Sequence, residues 1–379
     1  MLSFVDHFNL GNSTIRDVLM TALSRGGNYS DIFCEHTEYN GILMEEGIIK
    51  ESNKSVAVGA GVRTVRGQGI GYAYTEILTP GKLKHAAKTA AAIADSGKEI
   101  EPVQLGDVGY RNRYPVSDSV TGADLKAKID LIRRAEKAAS SYHNDIVKTT
   151  VSIVDTVSHI MIATSEGELL KDVRPMIDFK VSVVAERNGN RQIGISSGGG
   201  RRGCSYFTEI KTPEQHGEEA ARQAVLLLEA QQAPAGRMEL ILAPAESGIL
   251  LHESIGHPLE ADFIRKKTSS YTGRLGEKVA SELVTVIDDG TVENDRGSIN
   301  FDDEGTISSR SVLIENGILR KYMTDKLNAD YLKMERTGNG RRQSYKHPPI
   351  PRMTNTYLAN GRYDPGEIFE SPTRGIYCK

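Results

Sequence analysis

Apolar and polar positions in the first part of the chain predict a helix, a group of strands and a second helix. Over residues 13–25, apolar side chains recur at the three- and four-residue spacing of an amphipathic helix, and two glycines follow. Short apolar runs separated by turn residues then occupy 41–74, a pattern typical of an antiparallel meander. A proline–glycine pair opens an alanine-rich helical segment at 80–94. Residues 1–95 are therefore predicted to form an N-terminal α+β domain.

A second unit of the same kind follows a polar stretch. Residues 96–120 are polar, contain prolines and show no clear period, so we predict a linker there. The helical and strand-like patterns that follow lie at 121–135, 146–155, 159–163, 178–186 and 213–229. They predict a central α+β domain over 121–232. The glycine cluster at 196–203 interrupts this series, and we interpret it as a flexible hairpin tip, with an anion cradle as the alternative.

The last region, residues 233–379, begins with a predicted hinge, Ala-Pro-Ala-Gly, which precedes a buried strand at 238–243 and a helix. Further strand patterns lie around 284–287 and 311–322, with turn residues near them. These elements predict a C-terminal domain. The chain as a whole is expected to be a multi-domain protein of the α+β class, with mostly antiparallel or mixed sheets and flanking helices.

Composition narrows the classes of function. Charged residues make up 26% and hydrophobic residues 39% of the 379 residues, as in ordinary globular proteins. The formal net charge of −3 provides no basic field for a nucleic acid. The three cysteines are too scattered for a disulfide framework, and we find neither a secretory signal nor the ~20 consecutive apolar residues of a membrane helix. We therefore expect a cytoplasmic protein that has neither nucleic acid nor a membrane as its partner.

The most informative segment carries His252, Glu253 and His257 in the pattern H-E-x-x-x-H. The helical zinc-peptidase motif is one residue shorter, H-E-x-x-H, and places both imidazoles on one face. A regular helix turns about 100° per residue, so the longer spacing sets the two imidazoles about 140° apart. Either the helix is deformed or the two histidines do not share a metal ion. A single-turn bulge would restore convergence, and Gly256 and Pro258 both weaken a regular helix beside His257.

The H-E-x-x-x-H pattern is either a metal site or a coincidence of spacing, and the neighbouring acidic residues help to distinguish the two. Glu260 and Asp262 can orient the imidazole N–H groups from behind, which favours a metal site. The nearby sequence offers no third ligand of clear geometry. Both interpretations stay open on spacing alone.

A second unusual stretch, residues 337–356, contains four cations and no anion up to Met353. Such a loop can present side chains to a carboxylate or a peptide backbone. Alternatively, it is a solvated basic loop that packs against the acidic stretch at 287–305. The candidate substrate-binding residues are Arg341, Arg342, Tyr345, His347, Arg352 and Asn355.

These motifs together resemble the TldD subgroup of the TldD/PmbA metallopeptidases. The segments that carry the resemblance are 252–263, 286–290, 300–305, 338–345 and 348–356, and the similarity extends over essentially the whole chain. It implies a zinc-dependent peptidase that acts on peptides or unfolded protein segments, bound as an added strand. It also implies that His252 and His257 are zinc ligands, that Glu253 is the general base, and that the protein forms a homodimer or a heterodimer with a metal-free paralogue.

One departure from the family pattern concerns the third zinc ligand. The resemblance implies a cysteine in a segment that would follow Lys379, and Cys378 corresponds to the start of a strand instead. We therefore expect this chain to be shortened at its C-terminal end, with an incomplete metal centre. The alternative function is accordingly a catalytically impaired fragment or a non-catalytic peptide-binding subunit.

Overall fold

The computed structural model describes residues 4–94, 104–116, 124–244 and 248–378. The helices are α1 (Asn12–Leu23), α2 (Pro80–Ile93), α3 (Leu125–Ser140), α4 (Tyr206–Glu209), α5 (Pro213–Leu228), α6 (Gly248–Leu251), α7 (Ala261–Arg265), α8 (Lys326–Leu332) and α9 (Pro365–Glu370). The strands are β1 (Tyr29–Glu45), β2 (Ile48–Arg66), β3 (Gly69–Thr75), β4 (Gly106–Asp107), β5 (Ile146–Thr164), β6 (Glu168–Arg187), β7 (Asn190–Gly200), β8 (Glu239–Leu242), β9 (Val286–Asp289), β10 (Arg310–Glu315), β11 (Ile318–Leu319), β12 (Gly340–Arg341), β13 (Ile350–Pro351), β14 (Thr356–Leu358) and β15 (Gly375–Cys378).

One large sheet unites the first two predicted domains. Its strand order is β3-β2-β1-β5-β6-β4, and β7 also pairs with β6. The connection between the two halves is the antiparallel pairing of β1 with β5, which runs from Asp31↔Thr164 to Glu45↔Thr150. Helices α1 and α2 pack against one part of this sheet in one apolar core, and α3 and α5 pack against another part in a second core.

The C-terminal region is built from shorter elements. Strands β11, β10, β9 and β14 form an antiparallel sheet in that order, β12 pairs with β13, and β15 runs parallel to β8. Helix α7 and the turn before it contribute Leu259, Ala261 and Ile264 to a separate apolar core with β9 and β10. The predicted α+β class, with mostly antiparallel sheets and flanking helices, is confirmed.

Strand lengths differ from the sequence prediction. Most of the short runs predicted within 41–74 belong to β1 and β2, which contain 17 and 19 residues. Turn-type residues do not interrupt these strands, because pairing with neighbouring strands continues through them: Gly41 of β1, for example, lies opposite Asn53 of β2 and Val154 of β5. The chain reverses only at Glu46 and Gly47, whose positive φ values of 51° and 75° suit a tight hairpin turn.

The glycine cluster is not a hairpin tip. Its first part belongs to β7, which pairs with β6 up to Gly200. A Cβ on Gly198 would lie 1.9 Å from the Tyr206 hydroxyl oxygen, and one on Gly199 would lie 1.9 Å from the Ile177 carbonyl oxygen. The glycines therefore allow close packing inside the sheet, and the predicted flexible tip is wrong.

The described part of the predicted linker contacts the sheet. Strand β4 pairs in parallel with β6, and Tyr114 is buried with its hydroxyl donating to Asp172. The remainder, 96–103 and 117–120, lies outside the described residues. The division into domains stays a prediction.

Buried ion pairs attach the C-terminal region to the large sheet. Arg63 of β2 is fully buried and pairs with Asp31 of β1 and with Glu304. Arg174 of β6 pairs with Asp303 at one side and Asp172 at the other. These pairs place the acidic stretch around 300–304 against the strands, so the C-terminal region is held in a defined position on the sheet.

Candidate metal centre

The motif His252–Gly256 forms a π-helical turn, which follows α6 directly. The backbone N–H of His257 donates a hydrogen bond to the carbonyl oxygen of His252, five residues earlier. A π-turn contains one residue more than an α-turn, so it absorbs the extra residue of H-E-x-x-x-H. Of the two alternatives that the spacing leaves open, the deformed helix is the one observed.

The π-turn brings the three candidate side chains together. Ligand atoms of His252, Glu253 and His257 all lie within 4.8 Å of one another, and the two imidazole centroids are 4.5 Å apart at an interplanar angle of 81°. Tetrahedral zinc with ligands at ~2.1 Å requires ligand atoms about 3.4 Å apart, which is within the 4.8 Å limit that contains these atoms. Two imidazole nitrogens and a carboxylate are donors that zinc accepts, and the residues present fit that ion.

Packing explains why these side chains face outward. Leu251, Ile255 and Leu259 recur every fourth position and belong to the apolar core of the C-terminal region. His252 and Glu253 lie on the opposite side and are exposed, while His257 is half-buried. The apolar side chains of this segment therefore pack in the core, while its candidate ligands face solvent.

Gly256 allows a second segment to approach the turn. A Cβ at this position would lie 2.0 Å from the Met353 sulfur atom. Pro258 follows in a short 3₁₀ turn, His257–Leu259, which leads into α7. The glycine and the proline thus serve both the irregular helix and the contact with the 350–356 loop.

Glu260 lies behind His257. It is fully buried, and its Oε1 atom is 3.1 Å from His257 Nδ1. Its other oxygen accepts a hydrogen bond from Arg352 Nη1 at 2.6 Å. Burial raises the pKa of Glu260 to about 8, and the charge of Arg352 opposes that rise. The expectation that Glu260 orients an imidazole is confirmed, whereas the same expectation for Asp262 is wrong, because its carboxylate pairs with Lys266 at 3.0 Å.

The basic stretch packs against the acidic one. Asn339 Nδ2 donates to Asp288 at 2.7 Å, and the backbone N–H of Arg342 donates to Asp303 at 2.7 Å. These contacts agree with the packed-loop alternative.

The candidate substrate-binding residues are dispersed. Arg342 is fully buried and pairs with Asp31 at 2.7 Å. Tyr345 is buried between Glu35 and Glu76, and the Asn355 side chain bonds to the backbone N–H of Gly297 and the carbonyl of Asp289. Arg341 is half-buried, 3.9 Å from Asp303, and His347 is exposed beside Ser344. Among the described residues, Arg352 alone of this set reaches the centre, through Glu260; a role in substrate binding stays a prediction for all six.

Sequence reasoning missed the link between Arg352 and His257. The residues Arg352 and Glu260 are 92 positions apart, and no local pattern relates them. The basic charge of residues 337–356 was the only signal in the sequence. It indicated substrate binding as well as it indicated a contact with a buried carboxylate.

Family models match three parts of the chain. They are described as PmbA/TldA metallopeptidase domain 1 over residues 30–94, the central domain over 118–228 and the C-terminal domain over 235–379. The chain belongs to the PmbA/TldD family of metallopeptidases. The predicted family is thus confirmed.

Curated relatives of the family carry the same designation. The chain is 37% identical to the metalloprotease TldD homolog of Haemophilus influenzae over 98% of this chain and 78% of that protein. It is 40% identical to the homolog of Buchnera aphidicola subsp. Acyrthosiphon pisum over 93% and 74%. A zinc metalloprotease TldD homolog of Saccharolobus solfataricus is 26% identical over 93% and 77%.

A solved structure shares the fold. TldE from Thermococcus kodakarensis superposes with a TM-score of 0.74 at 19% identity, over 93% of this chain and 79% of that one. At this identity the likeness shows the fold alone. Within the part of the chain that the structure describes, no helix is long and apolar enough to cross a membrane.

Proposed function

We propose that this member of the PmbA/TldD family is a zinc-dependent peptidase that hydrolyses peptides or unfolded protein segments. The observation that carries the proposal is the π-turn, which brings His252, Glu253 and His257 within 4.8 Å of one another on an exposed surface. The name of the Saccharolobus solfataricus relative, a zinc metalloprotease, supports zinc as the metal. A cytoplasmic location is part of the same proposal.

In this proposal His252 and His257 hold the ion and Glu253 moves the proton. When bound, zinc supplies a Lewis acid that lowers the pKa of a water and polarises a carbonyl. The Glu253 carboxylate accepts the proton of the attacking water and returns it to the leaving amine. Glu253 is exposed and has no hydrogen-bond partner among the described residues, so it is free to contact a water and a substrate.

Replacing Glu253 tests the proposal directly. Glu253→Gln keeps the shape of the side chain and removes its basic oxygen, so cleavage of an unfolded protein should fall by about 10²–10⁴-fold while zinc stays bound. Zinc content is measured by elemental mass spectrometry and cleavage by the release of labelled peptides. Glu282→Gln, an exposed carboxylate in the same region, is the matched control. Unchanged cleavage by Glu253→Gln would rule out the assigned role.

A non-catalytic peptide-binding subunit is the second candidate. If Glu253 is the general base, the group contains two ligands among the described residues, whereas catalytic zinc sites usually use three protein ligands. A third ligand from outside the described residues would complete the set. Peptide binding without turnover, unaffected by a chelator, would favour the second candidate over the first.

We also propose that the protein acts as a dimer, either with a second copy or with a metal-free paralogue. The resemblance to the family motivates this proposal. Sedimentation of the purified chain, alone and mixed with a metal-free relative from the same organism, distinguishes the two forms, and a monomer in both samples would contradict it.

A further inference from the structure

A buried carboxylate joins the candidate metal centre to the loop at 350–356. Glu260 is fully buried; its Oε1 lies 3.1 Å from His257 Nδ1, and its Oε2 lies 2.6 Å from Arg352 Nη1. Arg352 is partly exposed, with 39% of its side-chain surface accessible, yet its guanidinium points at Glu260 and at the carbonyl of Pro351. Arg352, Glu260 and His257 are thus connected by consecutive side-chain contacts from the surface to the imidazole.

Backbone hydrogen bonds hold the segments that carry Glu260 and Arg352. The N–H of Ala261 donates to the Met323 carbonyl and the N–H of Met323 donates to the Leu259 carbonyl, both at 2.9 Å, which fixes the backbone on either side of Glu260. The N–H of Arg352 donates to the Asn339 carbonyl at 2.8 Å, and Asn339 Nδ2 donates to the Arg352 carbonyl at 2.9 Å.

Asn339 is itself fixed by Asp288. Its Nδ2 atom donates to Asp288 Oδ2 at 2.7 Å, and Asp288 is buried. Met353, next to Arg352, packs on Gly256 of the π-turn. The loop therefore contacts the turn twice, once through Met353 and once through the arginine and glutamate.

We propose that Arg352 is a positioning residue, which acts through Glu260 to hold the His257 imidazole with Nδ1 protonated and Nε2 directed to the metal. The inference rests on the proposed zinc function. The Arg352 guanidinium at Oε2 favours the ionised form of Glu260. An ionised carboxylate only accepts hydrogen bonds, so Oε1 selects the tautomer of His257 that carries its proton on Nδ1. Because Arg352 donates to Oε2, the carboxylate cannot rotate away from the imidazole. Second partners of this kind fix the orientation of a metal-binding histidine.

This role differs from substrate binding, which the sequence suggests for Arg352. A substrate-binding arginine would offer its guanidinium to solvent, whereas Arg352 gives Nη1 to a buried partner. His252 has no hydrogen bond to a carboxylate among the described residues, so the two imidazoles of the centre are held differently.

Zinc affinity of the full chain is the first measurement. Titration of Arg352→Gln and Glu260→Gln against a zinc indicator should show affinities about 10- to 100-fold below that of the unaltered chain. The double variant should bind zinc no more than about twofold more weakly than the weaker single variant, because the two residues act as a unit. Arg352→Lys keeps a charge and one donor, so it should recover most of the affinity.

Arg274→Gln is the matched control. Arg274 also pairs with a glutamate, Glu277 at 2.9 Å, and its side chain has the same exposed fraction of 39%, but this pair does not contact His257. Its zinc affinity should equal that of the unaltered chain.

The second measurement determines which nitrogen of the His257 imidazole carries the proton, and it does not require zinc. Long-range ¹H–¹⁵N correlation spectra of the metal-free chain should show His257 with its proton on Nδ1, and this preference should disappear in Arg352→Gln and Glu260→Gln but persist in Arg274→Gln. A purely structural role for Arg352 would lower stability without changing the tautomer.

The outcomes separate the inference from the function on which it rests. If all variants bind zinc equally, or if His257 keeps its Nδ1 proton in Arg352→Gln, the positioning role is wrong, although the zinc function stands. If the unaltered chain binds no zinc but its His257 tautomer depends on Arg352 and Glu260, the zinc function fails and the positioning role stands.

Discussion

Strands β5 and β6 of the large sheet and the acidic stretch of the C-terminal region bury mostly different kinds of side chain. Along β5 and β6, buried positions alternate with half-buried ones, and most buried side chains are apolar, among them Val151, Ile153 and Val181. In the C-terminal region, Asp303 and Glu304 are just as buried but charged. Both regions remove apolar area from water, but the acidic stretch of the C-terminal region also depends on pairing its charges with Arg63 and Arg174 of the sheet.

The difference shows how each region depends on its neighbours. An apolar side chain is stabilised by any close-packed apolar surroundings, so its burial follows from the local pattern. A buried carboxylate requires a specific cation at hydrogen-bond distance, such as Arg63 for Glu304 or Arg174 for Asp303. The C-terminal region therefore owes its position to residues that lie far away in the chain.

Removing Arg63 should produce the largest loss of stability. Arg63→Ala leaves Glu304 buried without its cation and leaves Asp31 with Arg342 as its remaining cation, so the free energy of unfolding should fall by about 3–5 kcal/mol. Chemical denaturation measures the loss. Arg191→Ala removes a sheet arginine that is 70% exposed and pairs with Glu186, and it should leave stability unchanged. Equal effects of both substitutions would contradict the dependence of the C-terminal region on its buried ion pairs with the sheet.

Filling the space at Gly256 should have a smaller effect. Gly256→Ala places a methyl group 2.0 Å from the Met353 sulfur, which should lower the free energy of unfolding by about 1–3 kcal/mol and weaken zinc binding. Adding Met353→Ala should recover zinc affinity, because the clash is removed. If the double variant binds zinc as weakly as Gly256→Ala, the contact with Met353 does not shape the turn.

The response to pH should have opposite signs in the two regions. On helix α5, which packs against the sheet, burial lowers the pKa of His216 from 6.5 to about 4, so its contribution to stability is present above pH 6.5 and is lost as the pH falls towards 4. In the C-terminal region, burial and Glu304 raise the pKa of Asp325 from 3.8 to about 7, so its contribution is present below pH 4 and is lost as the pH rises through 7.

Urea denaturation between pH 4 and pH 7.5 measures both contributions. His216→Gln should reduce the rise of stability with increasing pH, and Asp325→Asn should reduce the fall. A steeper rise in His216→Gln, or a steeper fall in Asp325→Asn, would show that the sign is wrong for that group.

Local patterns predicted the helices and indicated a deformed turn as one alternative. Helices α1, α2 and α5 begin within a residue of the predicted segments, because amphipathic spacing and the flanking glycines and prolines are local signals. The π-turn was one of two alternatives that local signals indicated: the one-residue difference from H-E-x-x-H and the flanking Gly256 and Pro258 lie within seven residues of one another.

Long-range pairing was not predictable in this way. Turn-type residues such as Gly41 lie in the middle of β1, since pairing with β2 and β5 satisfies their backbone groups. Likewise, the 92 positions between Glu260 and Arg352 and the 241 between Arg63 and Glu304 contain no pattern that relates these partners.

The amino-acid sequence by itself determined the class of fold, the helical segments, the family and the residues that converge in the candidate metal centre. Each of these depends on spacing within a short segment, where backbone geometry dictates which side chains share a face. Only the tertiary structure decided how far the strands extend, why glycines occupy β7, and that Arg352 holds Glu260 against His257. Those features depend on groups that folding brings together from distant parts of the chain, where the pairing of buried polar atoms decides which contacts are made.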